Sequence, residues 1–394
     1  MSEKIKLGII GIGNMGSAHA KNIIAGKCPD FDLVAVADIK PQRLEWAKKE
    51  LRSDINCFDD AEKMLDSGLI NACMVCVPHY SHPKYAIACM KRGIHVMVEK
   101  PAGVYTKQVR EMNDEAKKHP EVVYGMMFNQ RTNCIYRKMR ELVQSGKYGN
   151  IRRTNWIITD WYRPQCYYDS GDWRATWSGE GGGVLLNQCP HQLDLWQWIC
   201  GMPSCITAFC NVGKYHNIEV EDEATIYAEY ENGATGVFIT STGDCPGTNR
   251  LEITGTRGKM VLEQGLLKLW RLREDERDIC KTCKNGFLSP EMDYEEFTAE
   301  KETGHPGILQ NFTNAVLYGE ELLAPGFDGI NELTISNAAY LSQWKGNKRI
   351  AIPFDCDEFD KLLFEKRELS SVREIKKTDL KKDSSCLGRW QVNW

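Results

Sequence analysis

A chain of 394 residues, 42% hydrophobic and 26% charged, is too long for one ordinary core and has the composition of a soluble globular protein of two domains. A formal net charge of −4 with no long basic tract argues against a nucleic-acid partner, and no apolar run reaches membrane-spanning length. A first strand that begins near Ile5 leaves no room for a signal peptide, so a cytoplasmic location and reduced thiols are expected for the 16 cysteines.

Residues Lys6–Gly16 read as a buried strand running into Gly11-Ile12-Gly13-Asn14-Met15-Gly16. A helical run follows, then the strand Leu33–Ala37 ending in Asp38, 22 residues after Gly16. The glycines suit a tight turn (Gly11), backbone approach to a pyrophosphate (Gly13) and close helix–strand packing (Gly16). Amides opening the helix at Asn14 and Met15 are free to hold an anion, and Asp38 lies where a carboxylate accepts from ribose hydroxyls. NAD is the expected cofactor because a carboxylate repels a 2′-phosphate; Lys40 and Arg43 nearby leave NADP open.

Alternation of helix and strand continues: a helix from Pro41 to about Leu51, a strand near Ile55–Phe58, a helix near Asp60–Asp66, and the buried strand Ile70–Val77 stopped by Pro78. Ser81-His82-Pro83 reads as a helix start, with the helix ending at Gly93. The strand Ile94–Val98 then ends in Glu99-Lys100-Pro101, a helix covers Tyr105–Lys118, and a strand covers Val122–Met127. Near-continuous apolar strands separated by helices imply a parallel sheet covered on both faces.

Beyond Asn129 the texture changes. A helix is expected at Asn133–Ser145, then strands at Ile151–Trp161, Cys205–Tyr215, Ala224–Tyr230, Thr235–Thr242, Leu251–Gly255, Lys259–Glu263 and Leu266–Arg271. Hairpin turns at Glu231-Asn232-Gly233 and Thr256-Arg257-Gly258 make this sheet mostly antiparallel. Arg273–Asn285 reads as an exposed charged loop, helices return at Gly307–Tyr318 and Gly329–Trp344, and the tail ending Arg389–Trp394 reads as docking on its own domain or on a partner subunit. Boundaries of 1–127 for a dinucleotide-binding domain and 128–394 for a substrate and oligomerisation domain follow. The pairs Cys280/Cys283 and Cys73/Cys76 have ligand spacing without a second pair to complete four ligands, so no metal is expected.

Three stretches could carry chemistry. Lys100, at a parallel strand's carboxyl end, suits a general acid or base, or is a solvated lysine paired with Glu99. Gly181-Gly182-Gly183 lets backbone pass close to another body such as a cofactor ring, and Pro190 then starts a helix with His191 in its first turn, where neutral imidazole is favoured. Asp194 would orient that imidazole or cap the turn. The run from Asp160 to Trp177, with Tyr162, Arg163, Trp173 and Arg174, combines ring faces and hydrogen-bonding groups for a polyol; an aromatic subunit interface has similar composition. His305 reaches substrate or caps the next helix.

Taken together, Gly11–Gly16, Val77-Pro78 with His82, Glu99-Lys100-Pro101, Gly125 with Asn129 and Arg131, and Gly181–Gly183 with His191-Gln192-Leu193-Asp194 make the chain resemble the Gfo/Idh/MocA oxidoreductases. The resemblance implies a Rossmann domain followed by an α/β domain with a mostly antiparallel open sheet, substrate bound between them, and a homodimer or homotetramer. It also implies oxidation of a secondary alcohol on a sugar, glycoside or inositol-like ring, or the reverse reduction, with Lys100 and His191 flanking the reacting carbon. Cofactor contacts fall on Gly11, Gly13, Asn14, Met15, Gly16, Asp38, Pro78, His82, Glu99, Lys100 and Asn129, and substrate contacts on Arg131, Tyr162, Arg163, Trp173, Arg174, Asn187 and His191. Asn187 stands where the family has an aspartate, which leaves it a hydrogen-bonding duty and no proton relay. Alternatives are a member that eliminates a glycosidic bond through transient oxidation without net NADH, and a non-catalytic NAD-binding subunit.

Overall fold

The computed structural model describes residues 4–299 and 303–370. In chain order the first part runs β1 (Ile5–Ile10), α1 (Asn14–Ile24), β2 (Phe31–Ala37), α2 (Pro41–Glu50), β3 (Asn56–Phe58), α3 (Ala61–Asp66), β4 (Ala72–Val75), α4 (His82–Met90), β5 (His95–Val98), α5 (Thr106–Lys118) and β6 (Tyr124–Met126). Its six strands are all parallel in the order β3-β2-β1-β4-β5-β6. That order reverses between β1 and β4, so the turns leaving β1, β4 and β5 share the edge where such sheets bind ligands.

The rest runs α6 (Cys134–Gln144), β7 (Ile151–Ile158), α7 (Gln165–Tyr168), α8 (Pro190–Cys200), β8 (Cys205–Val212), β9 (Glu221–Glu229), β10 (Thr235–Ser241), β11 (Asn249–Gly255), β12 (Gly258–Glu263), β13 (Leu266–Leu272), α9 (Glu276–Thr282), β14 (Met292–Thr298), α10 (Gly304–Tyr318), α11 (Gly329–Trp344), β15 (Ile350–Ala351) and α12 (Cys356–Glu368). Nine strands form one open sheet, β14-β13-β12-β11-β7-β10-β9-β8-β15, in which only β7 and β10 pair in parallel. The two expected hairpin turns join β9 to β10, with Gly233 at φ 81°, and β11 to β12.

The compact units differ from a single cut at residue 127. One comprises the chain up to Thr132 together with Thr303–Leu333; the other takes the remainder. In the first, α10 returns to the Rossmann sheet: Phe312 stacks near Phe31, Gln310 donates to Asp30 at 2.7 Å, and Met126 N–H donates to Ala324 O at 2.9 Å.

Five elements depart from the sequence reading, the short α7 and β15 among them. Within the expected loop 273–285, α9 is capped by Asp275, which accepts from Arg277 N–H at 3.0 Å. The edge strand β14 and the helix α12, capped by Asp355, were not anticipated. The described cysteines form no disulfide with one another. Among those residues no helix is long and apolar enough to cross a membrane. The tail at 371–394, with Trp390 and Trp394, lies outside the described residues.

Candidate active site

In the Rossmann unit the glycine turn is shaped by its own surroundings. Gly11 sits at φ 90°, and a Cβ there would meet Cys76 O at 2.5 Å. A Cβ on Gly16 would meet Gly11 O at 1.9 Å, so only glycine lets α1 pack on the turn. A Cβ on Gly13 would meet nothing within 4 Å among the described residues. Beside it, α1 opens at exposed Asn14 and half-buried Met15 with no side chain capping its first amides. Asp38 ties the turn from the other side, accepting from Ile12 N–H at 2.8 Å and Lys40 N–H at 2.9 Å, while its side chain stays half-exposed.

The turn after β5 is braced twice. Glu99 is buried; its Oε1 lies 2.6 Å from His19 Nε2 and its Oε2 accepts from Lys100 N–H at 3.1 Å. Burial alone would push this carboxyl up, but the His19 hydrogen bond and the charges of His19, His305 and Lys100 hold it down at about 2. His82 places Nδ1 2.7 Å from Pro101 O and Nε2 2.7 Å from Val77 O, linking the turns after β4 and β5. Burial lowers its pKa against the pull of both carbonyls and Glu99. Lys100 itself is half-buried and Pro78 exposed.

Three of the expected site residues are engaged within their own unit. His82 and Glu99 were expected to touch the cofactor; both are buried and committed to holding the turn. Arg131 was expected to meet substrate; it is fully buried, donating to Asp328 at 2.6 Å and Leu323 O at 3.1 Å, and so fastens the returning segment 303–333 to its own unit. Asn129 is buried with its Nδ2 3.5 Å from His305 Nδ1. His305, in the first turn of α10, is pushed down to about 4 by burial and by the neighbouring His19.

In the second unit the aromatic stretch is largely self-engaged. Arg174 lies over the rings of Tyr167 and Trp173, 4.6 Å from each centroid, and donates to Tyr167 OH at 2.9 Å. Arg163 donates to Trp161 O and Tyr162 O of its own segment, while Tyr162 is exposed. Trp177 is buried edge-on against Tyr340 and Trp344, so it is core rather than a stacking platform.

The triple glycine has a different cause from the one expected. A Cβ on Gly183 would meet Glu221 O at 1.9 Å and one on Gly182 would meet Tyr340 OH at 2.3 Å. The space beside these two glycines is filled by β9 and α11, not by a cofactor ring. Glu221 holds the segment, accepting from Gly183 N–H and Leu185 N–H at 2.9 Å and from Tyr340 OH at 2.7 Å. Burial pushes its carboxyl up to about 7 despite those donors. Glu180, also buried, accepts from Asn187 Nδ2 and, at 2.7 Å, from Ala175 N–H. His191 lies in the first turn of α8, after Pro190, as expected; Asp194 accepts from Gln197 at 3.0 Å.

Residues 5–126 match the model described as oxidoreductase family, NAD-binding Rossmann fold, and residues 136–261 match the GFO/IDH/MocA C-terminal domain. The chain belongs to the Gfo/Idh/MocA oxidoreductases. It is 26% identical over 343 residues to the myo-inositol 2-dehydrogenase of Thermotoga maritima, covering 85% of this chain and 95% of that one. It is also 26% identical over 231 residues to the D-glucoside 3-dehydrogenase of Escherichia coli, covering 58% and 63%. Among solved structures, the WlbA dehydrogenase of Bordetella pertussis in complex with NADH and UDP-GlcNAcA is similar at 25% identity and a TM-score of 0.74, over 90% of this chain and 100% of that one.

The Rossmann unit matches the NAD-binding model, and the residues present fit that group: among the described residues Gly13 has open space beside it, the α1 amides have no side-chain cap, and Asp38 presents a half-exposed carboxylate. The protein is an NAD-dependent oxidoreductase. Sequence reasoning missed His19, Glu180 and Glu221 as supports of the site. His19 follows Gly16 by one helical turn, which was a readable signal; Glu221 lies 38 residues from Gly183, and nothing local announces their contact.

Proposed function

We propose that the protein transfers a hydride between a secondary alcohol of a sugar, glycoside or inositol-like ring and NAD. The observation that carries this reading is the Glu99-Lys100-Pro101 turn: a half-buried amine held at the carboxyl edge of the Rossmann sheet, in the unit that carries the open Gly13 turn. The relatives named as inositol and glucoside dehydrogenases support the substrate class.

Bound NAD supplies the hydride acceptor. The chain's residues do the rest. The α1 amides and Gly13 take the pyrophosphate, and Asp38 takes the adenine ribose and disfavours NADP. Lys100 exchanges a proton with the reacting hydroxyl, and His191, at the positive end of α8, is the second group able to accept one. Asn187, its amide spent on Glu180, orients a ring hydroxyl without titrating. Tyr162, Trp173, Arg163 and Arg174 line the polyol from the 161–177 segment. A second copy docks on the open sheet through exposed Phe209 and Tyr227, giving a homodimer or homotetramer.

The test is a panel of inositols, free hexoses and methyl glycosides with purified protein and NAD, following reduced nicotinamide and product mass together. NADH with a keto product supports the reading. Bond cleavage without NADH replaces it with elimination through transient oxidation, and NAD binding without turnover of any panel member replaces it with a binding subunit.

A further inference from the structure

The buried side of α1 is Gly16, His19, Ala20 and Ile23, the i, i+3, i+4, i+7 spacing of one helical face. The helix whose first amides are open to an anion therefore also carries an imidazole into the Rossmann unit, 1% exposed, where it meets Glu99. We propose that His19 is a positioning residue for Lys100, fixing through Glu99 the carboxylate that the Lys100 amide is bonded to. This rests on the reading of Lys100 as the acid–base group.

Each oxygen of Glu99 has one duty: Oε1 faces His19 and Oε2 accepts the Lys100 amide. An ionised carboxylate can only accept, so His19 Nε2 carries the proton and the tautomer is set. Without a donor at Oε1, desolvation is opposed only by the Lys100 amide at Oε2 and the remaining nearby charges, so Glu99 shifts toward its neutral form, which stabilises a nearby ammonium less. The titratable neighbours of Glu99 are His19 from α1, His305 from α10, Cys76 after β4, His82 from α4 and Lys100 itself. His305 stands edge-on to His19, ring centroids 5.3 Å apart, and is held neutral. Cys76 brings its sulfur within 4.8 Å of the His19 and Glu99 ligand atoms, and burial pushes its thiol well up.

The experiment is competitive acetylation of the full-length protein with acetic anhydride across pH, read lysine by lysine in a mass spectrometer, for wild type, His19→Leu, His19→Gln and Glu99→Gln. Leucine removes the donor, whereas the glutamine amide restores an N–H. In His19→Leu and Glu99→Gln, Lys100 is expected to label severalfold faster at mildly alkaline pH, with exposed lysines such as Lys48 and Lys63 unmoved, and His19→Gln returns the profile toward wild type. An unchanged Lys100 profile in His19→Leu, with circular dichroism and NAD affinity intact, overturns the proposal. If His19→Leu does not fold, an unchanged profile in Glu99→Gln overturns it as well. Turnover by Lys100→Met separates the two readings: retained activity ends the acid–base role of Lys100, while the labelling result on His19 stands by itself.

Discussion

Two glycine segments, one in each unit, are each tied to a carboxylate that accepts two backbone amides: Gly11–Gly16 by Asp38, and Gly181–Gly183 by Glu221. From sequence they look alike. In the structure they differ in what occupies the missing side chains. At Gly183 the vacated volume belongs to the backbone of β9; at Gly13 nothing among the described residues fills it. Their acids differ in the same way. Asp38 remains half-exposed, whereas Glu221 is so desolvated that three donors leave it raised to about 7. A glycine run signals close approach, but only the surroundings say whether the approaching body is the protein or its ligand.

The largest effect that separates them is Gly183→Ala. A methyl 1.9 Å from the Glu221 carbonyl must displace backbone, not a flexible side chain. We predict a loss of about 3 kcal/mol or more and a melting temperature lower by roughly 6–12 °C. A thermal unfolding scan within 1–2 °C of wild type, a margin on the order of 0.5 kcal/mol, would contradict the packing described.

Glu221 gives the next effect. Its pKa is raised from 4.5 to about 7 on folding, so the folded chain binds this proton more tightly. The resulting stabilisation is complete below the unfolded value and is lost as pH rises through about 7, a swing of about 3 kcal/mol. Glu99, depressed to about 2, has the opposite sign: its contribution is present above 4.5 and is lost as pH falls toward 2. Urea midpoints of wild type minus Glu221→Gln should therefore decline between these limits. A flat difference would mean that Glu221 ionises normally, and the contrast with Asp38 would shrink to one of geometry.

How much of this was legible varied with range. The Rossmann half was readable because its strands are short apolar runs between helix signals, and because Gly11, Gly13 and Gly16 act within one βαβ unit. The β9–β10 hairpin was readable from Asn232-Gly233. By contrast, α9 has no buried residue and so no apolar stripe, and β14, reading Met-Asp-Tyr-Glu-Glu-Phe-Thr on an edge, lacks the alternation a half-buried strand shows. The apolar face of α10 announced a helix but not that it would pack with β2 and carry His305 toward His19. His82 and Arg131 stood out in the sequence, but that they bond backbone and carboxylate groups of their own unit was not legible, since a motif marks a position without saying what its side chain bonds.

Gly13→Ala tests the open side of the comparison. With no atom of the described residues beyond its chain neighbours within 4 Å of the added methyl, stability should change by no more than about 1 kcal/mol, the scale of a helix N-cap replacement. The methyl instead takes space needed by the pyrophosphate, so NAD affinity by calorimetry should fall roughly tenfold or more. Unimpaired NAD binding would place the dinucleotide elsewhere on the sheet edge.

The smallest effect is expected at Asp38, where turn support and cofactor choice overlap. Asp38→Ser keeps a short oxygen acceptor near the Ile12 and Lys40 amides, so the fold of the turn should survive. It removes the negative charge that repels a 2′-phosphate, with Lys40 and Arg43 close in sequence to favour one. The ratio of NAD to NADP affinity should fall roughly fivefold to tenfold, mostly through stronger NADP binding. If both cofactors weaken equally, the Asp38 carboxylate acts only as the brace of the glycine turn. The two acids would then perform one structural task, and the half-exposure of Asp38 would have no bearing on which dinucleotide binds.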